Sequence, residues 1–118
     1  MYLYKALLMK VHLIKRETIE NYMIIQTRSR PSFEDWREKI KRADWRTPED
    51  IRATFRSADL LGDSCDRIVF NIGGNLYRLI AKYWFGTTRV HLYIKWIGTH
   101  AEYTTLCRRN LQYSVDSY

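Results

Sequence analysis

Residues 67–97 read RIVFNIGGNLYRLIAKYWFGTTRVHLYIKWI, and their period-two alternation decides the fold. Arg67–Ile72 is a predicted strand, and Gly73-Gly74-Asn75 a tight hairpin whose positive φ values glycine and asparagine tolerate. Leu76–Trp84 is the second strand, Phe85–Thr88 the next turn and Val90–Ile97 the third strand. Loops this short join antiparallel neighbours, so the three strands form a meander. Working upstream, Leu60–Cys65 reads as a loop. Thr47-Pro48-Glu49-Asp50 opens a helix with the buried stripe Ile51, Phe55 and Ala58: a capping hydroxyl, a first-turn proline, then two acids at the positive end of the dipole. Before it, Ser32 is expected to cap a helix carrying Phe33, Trp36 and Ile40. The segment from Arg16 places Ile19, Tyr22, Met23 and Gln26 on one helical face, and Arg30-Pro31 stops it. Lys10–Ile14 alternates as a short strand. Downstream, Thr99 and Glu102 form a capping box for a short helix to about Arg109, and residues 110–118 are expected to be a frayed tail. A strand, two or three helices, a three-stranded antiparallel meander and a C-terminal helix make an α+β domain.

A chain of 118 residues holds one core, and 46% hydrophobic residues with nine Tyr, four Trp and four Phe exclude wholesale disorder. The net charge is +7 and unevenly neutralised. Residues 1–64 carry 13 basic and 10 acidic groups, whereas residues 65–118 carry 7 and 3. Arg67, Arg78, Lys82, Arg89 and Lys95 face only Asp66 before Glu102. Such a surplus among strand residues suits a polyanion, nucleic acid being the commonest; plain surface solvation is the alternative. Cys65 and Cys107 stand far apart, and His12, His91 and His100 are scattered, so no metal site is expected. The opening MYLYKALLMKVHLI lacks a cleavage site and is broken at Lys10, which argues against a signal peptide or membrane span and for the cytoplasm. Met9 offers an alternative start, with residues 1–8 an upstream extension to a domain over 9–109.

Alternation sets Arg67, Val69 and Asn71 on one side of the first meander strand. It sets Leu76, Arg78, Ile80, Lys82 and Trp84 on one side of the second, and His91, Tyr93, Lys95 and Ile97 on one side of the third. If the register aligns them, Arg67, Arg78, Lys82, Tyr93 and Lys95 share a basic face too costly to bury against helices. Arg89, Asn71 and Asn75 border it as further RNA-binding candidates, although the two asparagines also suit shaping the hairpin. His100 and Tyr103, three apart near a helix start, can serve proton transfer. Each also fits a purely structural place, the histidine at the helix start and the tyrosine in the core.

Val69–Arg78 (VFNIGGNLYR) and Tyr93–Tyr103 (YIKWIGTHAEY) resemble the hairpin and the C-terminal ending of HigB-type mRNA interferases, with Lys95 at the family's basic position. The resemblance covers the chain from about Met9, weakly in its first half, and departs at Thr104, where the family often has Asp. It implies a RelE-like fold, cleavage of mRNA on translating ribosomes without metal or organic cofactor, and neutralisation by a helix-turn-helix HigA-type antitoxin. On that reading Arg67, Arg78 and Lys95 hold phosphate and transition-state charge, while His100 and Tyr103 transfer protons or position substrate. A non-catalytic RNA- or ribosome-binding module, or a basic protein-docking domain, remains the alternative.

Overall fold

A computed structural model describes residues 8–62 and 64–118, so most of the expected upstream extension lies outside the described residues. The order is β1 (Lys10–Ile14), α1 (Glu17–Ile25), a 3₁₀ turn (Thr27–Ser29), α2 (Arg30–Arg42) and α3 (Pro48–Thr54). There follow β2 (Asp59–Leu60), β3 (Arg67–Ile72), β4 (Tyr77–Phe85), β5 (Arg89–Thr99), α4 (His100–Arg108) and a 3₁₀ turn (Leu111–Tyr113).

Local chemistry explains most of these boundaries. Lys15 takes a left-handed φ of 67°, which breaks β1 from α1. Pro31 sits inside the first turn of α2 rather than stopping a helix before it, because a missing N–H is harmless there. That corrects the expected cap at Ser32. At α3 the Asp50 carboxylate accepts from the N–H groups of Arg46 (2.7 Å) and Thr47 (3.0 Å), which holds its pKa below the usual carboxylate value. The hairpin turns on Gly73 (φ +66°) and Gly74 (φ +67°), and a Cβ on Gly73 would lie 2.9 Å from Ser32 Oγ.

The meander of β3, β4 and β5 is the centre of a larger sheet. Its order is β1-β5-β4-β3-β2, with β1 added parallel to β5 and every other pair antiparallel. The short β2 emerges where the sequence reads as helix end and loop. One sheet face is committed to α1, α2 and α3. Ile19, Met23, Phe33, Trp36, Ile40, Trp45 and Ile51 bury against Ile68, Phe70, Leu79, Leu92 and Ile94. Each such side chain contributes about 1.5–3 kcal/mol. Trp36, Phe55 and Phe70 form an aromatic knot with ring centroids 5.1–6.1 Å apart.

A bulge in β5 then changes which residues share a side. Ile80 pairs with Trp96 but Ala81 pairs with Ile94, leaving Lys95 without a β4 partner. Tyr93 and Trp96 therefore face away from the three helices, and Ile97 joins the core instead of the basic face. On that second face α4 folds back with Tyr103 against Trp96, ring centroids 6.1 Å apart. Val69 and Ile80, which alternation puts there, are only 2% and 0% exposed. The second face is thus half covered and half open.

Candidate nucleic-acid interface

Strand register builds the open half. Arg67 pairs with Lys82, and Lys82 with Tyr93, so three of the expected residues form one row across β3, β4 and β5. Lys82, Tyr83, Trp84, Tyr93 and Lys95 line a hollow of about 280 Å³. The Lys95 ammonium stands 5.9 Å from the centre of the Tyr93 ring. Lys82 is exposed, and Tyr93 and Lys95 are half-buried. Two ammonium groups beside an aromatic ring can hold a phosphate and one adjoining base.

A second group gathers at the hairpin. Asn71 pairs with Arg78. The Arg78 guanidinium donates to the carbonyls of Tyr77 (2.9 Å) and Gly74 (3.4 Å) and to Asn75 Oδ1 (3.2 Å). His100, exposed, starts α4, and its backbone N–H donates to Leu76 O at 3.0 Å. Thr99 and Glu102 make the expected capping box, with bonds of 2.7 and 3.2 Å. Tyr103 is half-buried. Burial first, then its bond to the Cys107 thiol and the nearby Asp59 charge, push its phenol well above the ordinary value, with Arg78 opposing. It is a neutral hydroxyl near pH 7, suited to donating a hydrogen bond rather than accepting a proton.

Four strand positions separate Arg78 from Lys82, about 13 Å at the strand rise. Lys95, unpaired at the bulge between the Ile80–Trp96 and Ala81–Ile94 pairs, stands along the strands between Arg78 and Lys82. Arg89 stands at the opposite end, paired with Lys10.

Two expectations about exposure are corrected here. Arg67 and Arg78 were expected on an open surface, yet each is 6% exposed. Their guanidinium groups are taken up by backbone carbonyls. The tail after α4 was expected to fray, but it is ordered against the sheet. Asn110 turns the chain at φ 55°, Gln112 is buried, and Arg67 Nη1 donates to Gln112 O (3.3 Å) and Val115 O (2.7 Å). Burial lowers the Arg67 pKa, with the charges of Cys65 and Asp116 pulling it back. Further on, Asp116 Oδ2 meets Lys95 Nζ at 3.3 Å, and the Ser117 N–H donates to Lys95 O at 2.9 Å. The tail thus contacts Arg67 and Lys95, two of the three residues expected to hold phosphate and transition-state charge.

Other features lay in the sequence without being singled out. Alternation had set Trp84 beside Lys82 and His91 beside Tyr93; the sign that they matter is that Trp84 projects into solvent. Among the described residues no cluster of three His, Cys, Asp or Glu side chains is placed to hold a metal ion, and no helix is long and apolar enough to cross a membrane.

The chain is a small α+β domain with a mixed five-stranded sheet and a basic, aromatic-bearing open face. Residues 29–106 match the family model for the HigB toxin, described as the RelE-like toxic component of a toxin–antitoxin system. The chain belongs to the HigB toxin family. It is 38% identical over 69 residues to the mRNA interferase HigB of Escherichia coli O6:H1, covering 58% of this chain and 65% of that protein. It is 34% identical over 64 residues to the mRNA interferase toxin HigB of Escherichia coli K12 and to the mRNA interferase HigB of Shigella flexneri, covering 54% of this chain and 60% of each relative. The matched part spans less than two thirds of these relatives' own length.

Proposed function

We propose that this chain is an endoribonuclease toxin that cleaves mRNA on the ribosome and is held in check by a helix-turn-helix antitoxin of the HigA type. The work is cytoplasmic, where ribosomes and mRNA are. Family membership supports the class of activity, and a RelE-like fold accords with the mixed sheet and its C-terminal helix. The observation that carries the reading is the hollow lined by Lys82, Tyr93 and Lys95 on the open half of the sheet.

The reaction is transesterification within the RNA. A 2′-oxygen forms a bond to the adjacent phosphorus as the bond to the 5′-oxygen breaks, giving a cyclic phosphate and a free 5′-hydroxyl. One group accepts the 2′ proton and another supplies a proton to the leaving oxygen. Lys82 and Lys95 stabilise the anionic phosphorus centre. The hollow's other groups with exchangeable protons are the Tyr83 and Tyr93 phenols and the Trp84 indole N–H. His100, Tyr103 and Arg78 act a nucleotide or more away, where His100 and the Tyr103 hydroxyl position the strand. Arg89, Asn71 and Asn75 border its path.

Expression of the chain in growing bacteria tests this. Growth should stop, transcripts should shorten with new 5′-hydroxyl ends, and co-expression of the antitoxin should restore both. Normal growth with intact transcripts, and folded protein in the cells, would contradict the proposal and favour a non-catalytic RNA-binding module.

A further inference from the structure

The open half of the sheet holds a row of rings that the core does not use and that meets the hollow at Trp84. His12 of β1 pairs with His91 of β5, and His91 with Trp84 of β4. One step along, Tyr93 pairs with Lys82, which ties this row to the hollow. The His12 and His91 rings meet edge-to-face with centroids 5.6 Å apart, and those of His91 and Tyr93 lie 6.4 Å apart at 37°. Trp84 is 64% exposed, an unusual position for an indole. His91 Nδ1 is buried and has no hydrogen-bond partner among the described residues. The row is flanked by exposed Lys82 on one side and by exposed Lys10 and Arg89 on the other.

We propose that Trp84, with His91 and His12 beside it, is a stacking shelf for unpaired bases of single-stranded RNA. This deepens the proposed function and rests on it, since the strand's phosphate occupies the hollow next door. The occupant follows from the pattern. Flat rings in water offer a surface to any base, and the cations along both borders match a backbone that carries one charge per nucleotide. A duplex hides its base faces, so the shelf selects unpaired RNA.

The test uses the full chain and a fluorescein-labelled ten-nucleotide oligouridylate with 2′-O-methyl groups, which binds but cannot be cleaved. Anisotropy titrations compare the unmodified chain, Trp84→Ala and Trp84→Phe, with a blunt RNA duplex as second ligand. Trp84→Ala should weaken single-strand binding about 5- to 100-fold, and Trp84→Phe should recover most of it. The salt dependence should keep its slope, because no charge is removed. Duplex binding should be weaker than single-strand binding and indifferent to both changes. Equal binding by Trp84→Ala and the unmodified chain would overturn the shelf and leave the phosphate hollow standing. Sedimentation showing that Trp84→Ala dissolves a dimer without changing RNA binding would overturn it too, assigning the indole to a second copy. No single-strand binding by the unmodified chain, even at low salt, would overturn the shelf, whereas transcripts left intact on expression would overturn the proposed function itself.

Discussion

Five cations of similar appearance in the sequence turn out to do different physical work. Arg67 is buried and donates to two carbonyls of the tail, so it holds the chain together. Arg67→Ala leaves those carbonyls unpaired and is expected to cost about 1–3 kcal/mol in urea unfolding. Lys82, exposed on the hollow, should behave in the opposite way. Lys82→Ala should change stability by no more than about 0.5 kcal/mol, while weakening RNA binding and lowering its salt slope by about one. Alternation identified the side of the sheet on which both stand, yet not their depth, because depth depends on what the tail does 45 residues later in the chain.

Tyr22 gives a pH signature at the same scale. Its phenol is pushed up to about 12 by burial first, then by Glu102, Tyr77 and Tyr118. A pKa raised in the folded state favours the protonated phenol, so its contribution is complete below the unfolded value of about 10 and is lost as pH rises through about 12. Stability should therefore decline across that alkaline window. Tyr22→Phe should blunt the decline, as thermal midpoints measured from pH 8 to 12 would show. An unchanged profile in the variant would assign the alkaline loss to other phenols.

Elements were legible where local chemistry sets them. β1 and β3 match their sequence ranges to the residue, and both helix starts were legible: the hydroxyl, proline and acids of Thr47–Asp50 at α3, and the capping box of Thr99 and Glu102 at α4, all acting on neighbours within three residues. What escaped reading is non-local. The bulge at Lys95 has no signature in KWI, yet it moves Ile97 into the core and leaves Lys95 at the rim of the hollow. The parallel addition of β1 depends on helices that return the chain across the sheet. The tail offered no periodicity, and its order comes from bonds to Arg67 and Lys95. Asp116 is the part of the tail that competes with a phosphate. Because this pair is partly exposed, Asp116→Asn should raise affinity for single-stranded RNA only modestly, up to about fivefold at low salt, as anisotropy would measure. Lower affinity would mean that Asp116 orients Lys95 for substrate rather than occupying it.

For the molecule as a whole, the sheet divides its labour. One face is spent on α1, α2 and α3, and the hairpin end of the other on α4. The remaining half carries the hollow and the exposed indole in a chain of net charge +7. That division lets one sheet carry both a core and an open basic face. Of the residues that motif resemblance groups together, His100 and Arg78 belong to the hairpin end and Lys95 lines the hollow. The most direct measurement is single-turnover cleavage of mRNA on translating ribosomes by the unmodified chain, Lys82→Ala, Lys95→Ala and His100→Ala, each checked for fold. The two lysine variants should each lose about 10²-fold or more in rate, and His100→Ala less than tenfold. Full activity in both lysine variants, with a large loss at His100, would contradict the placement of the reaction in the hollow.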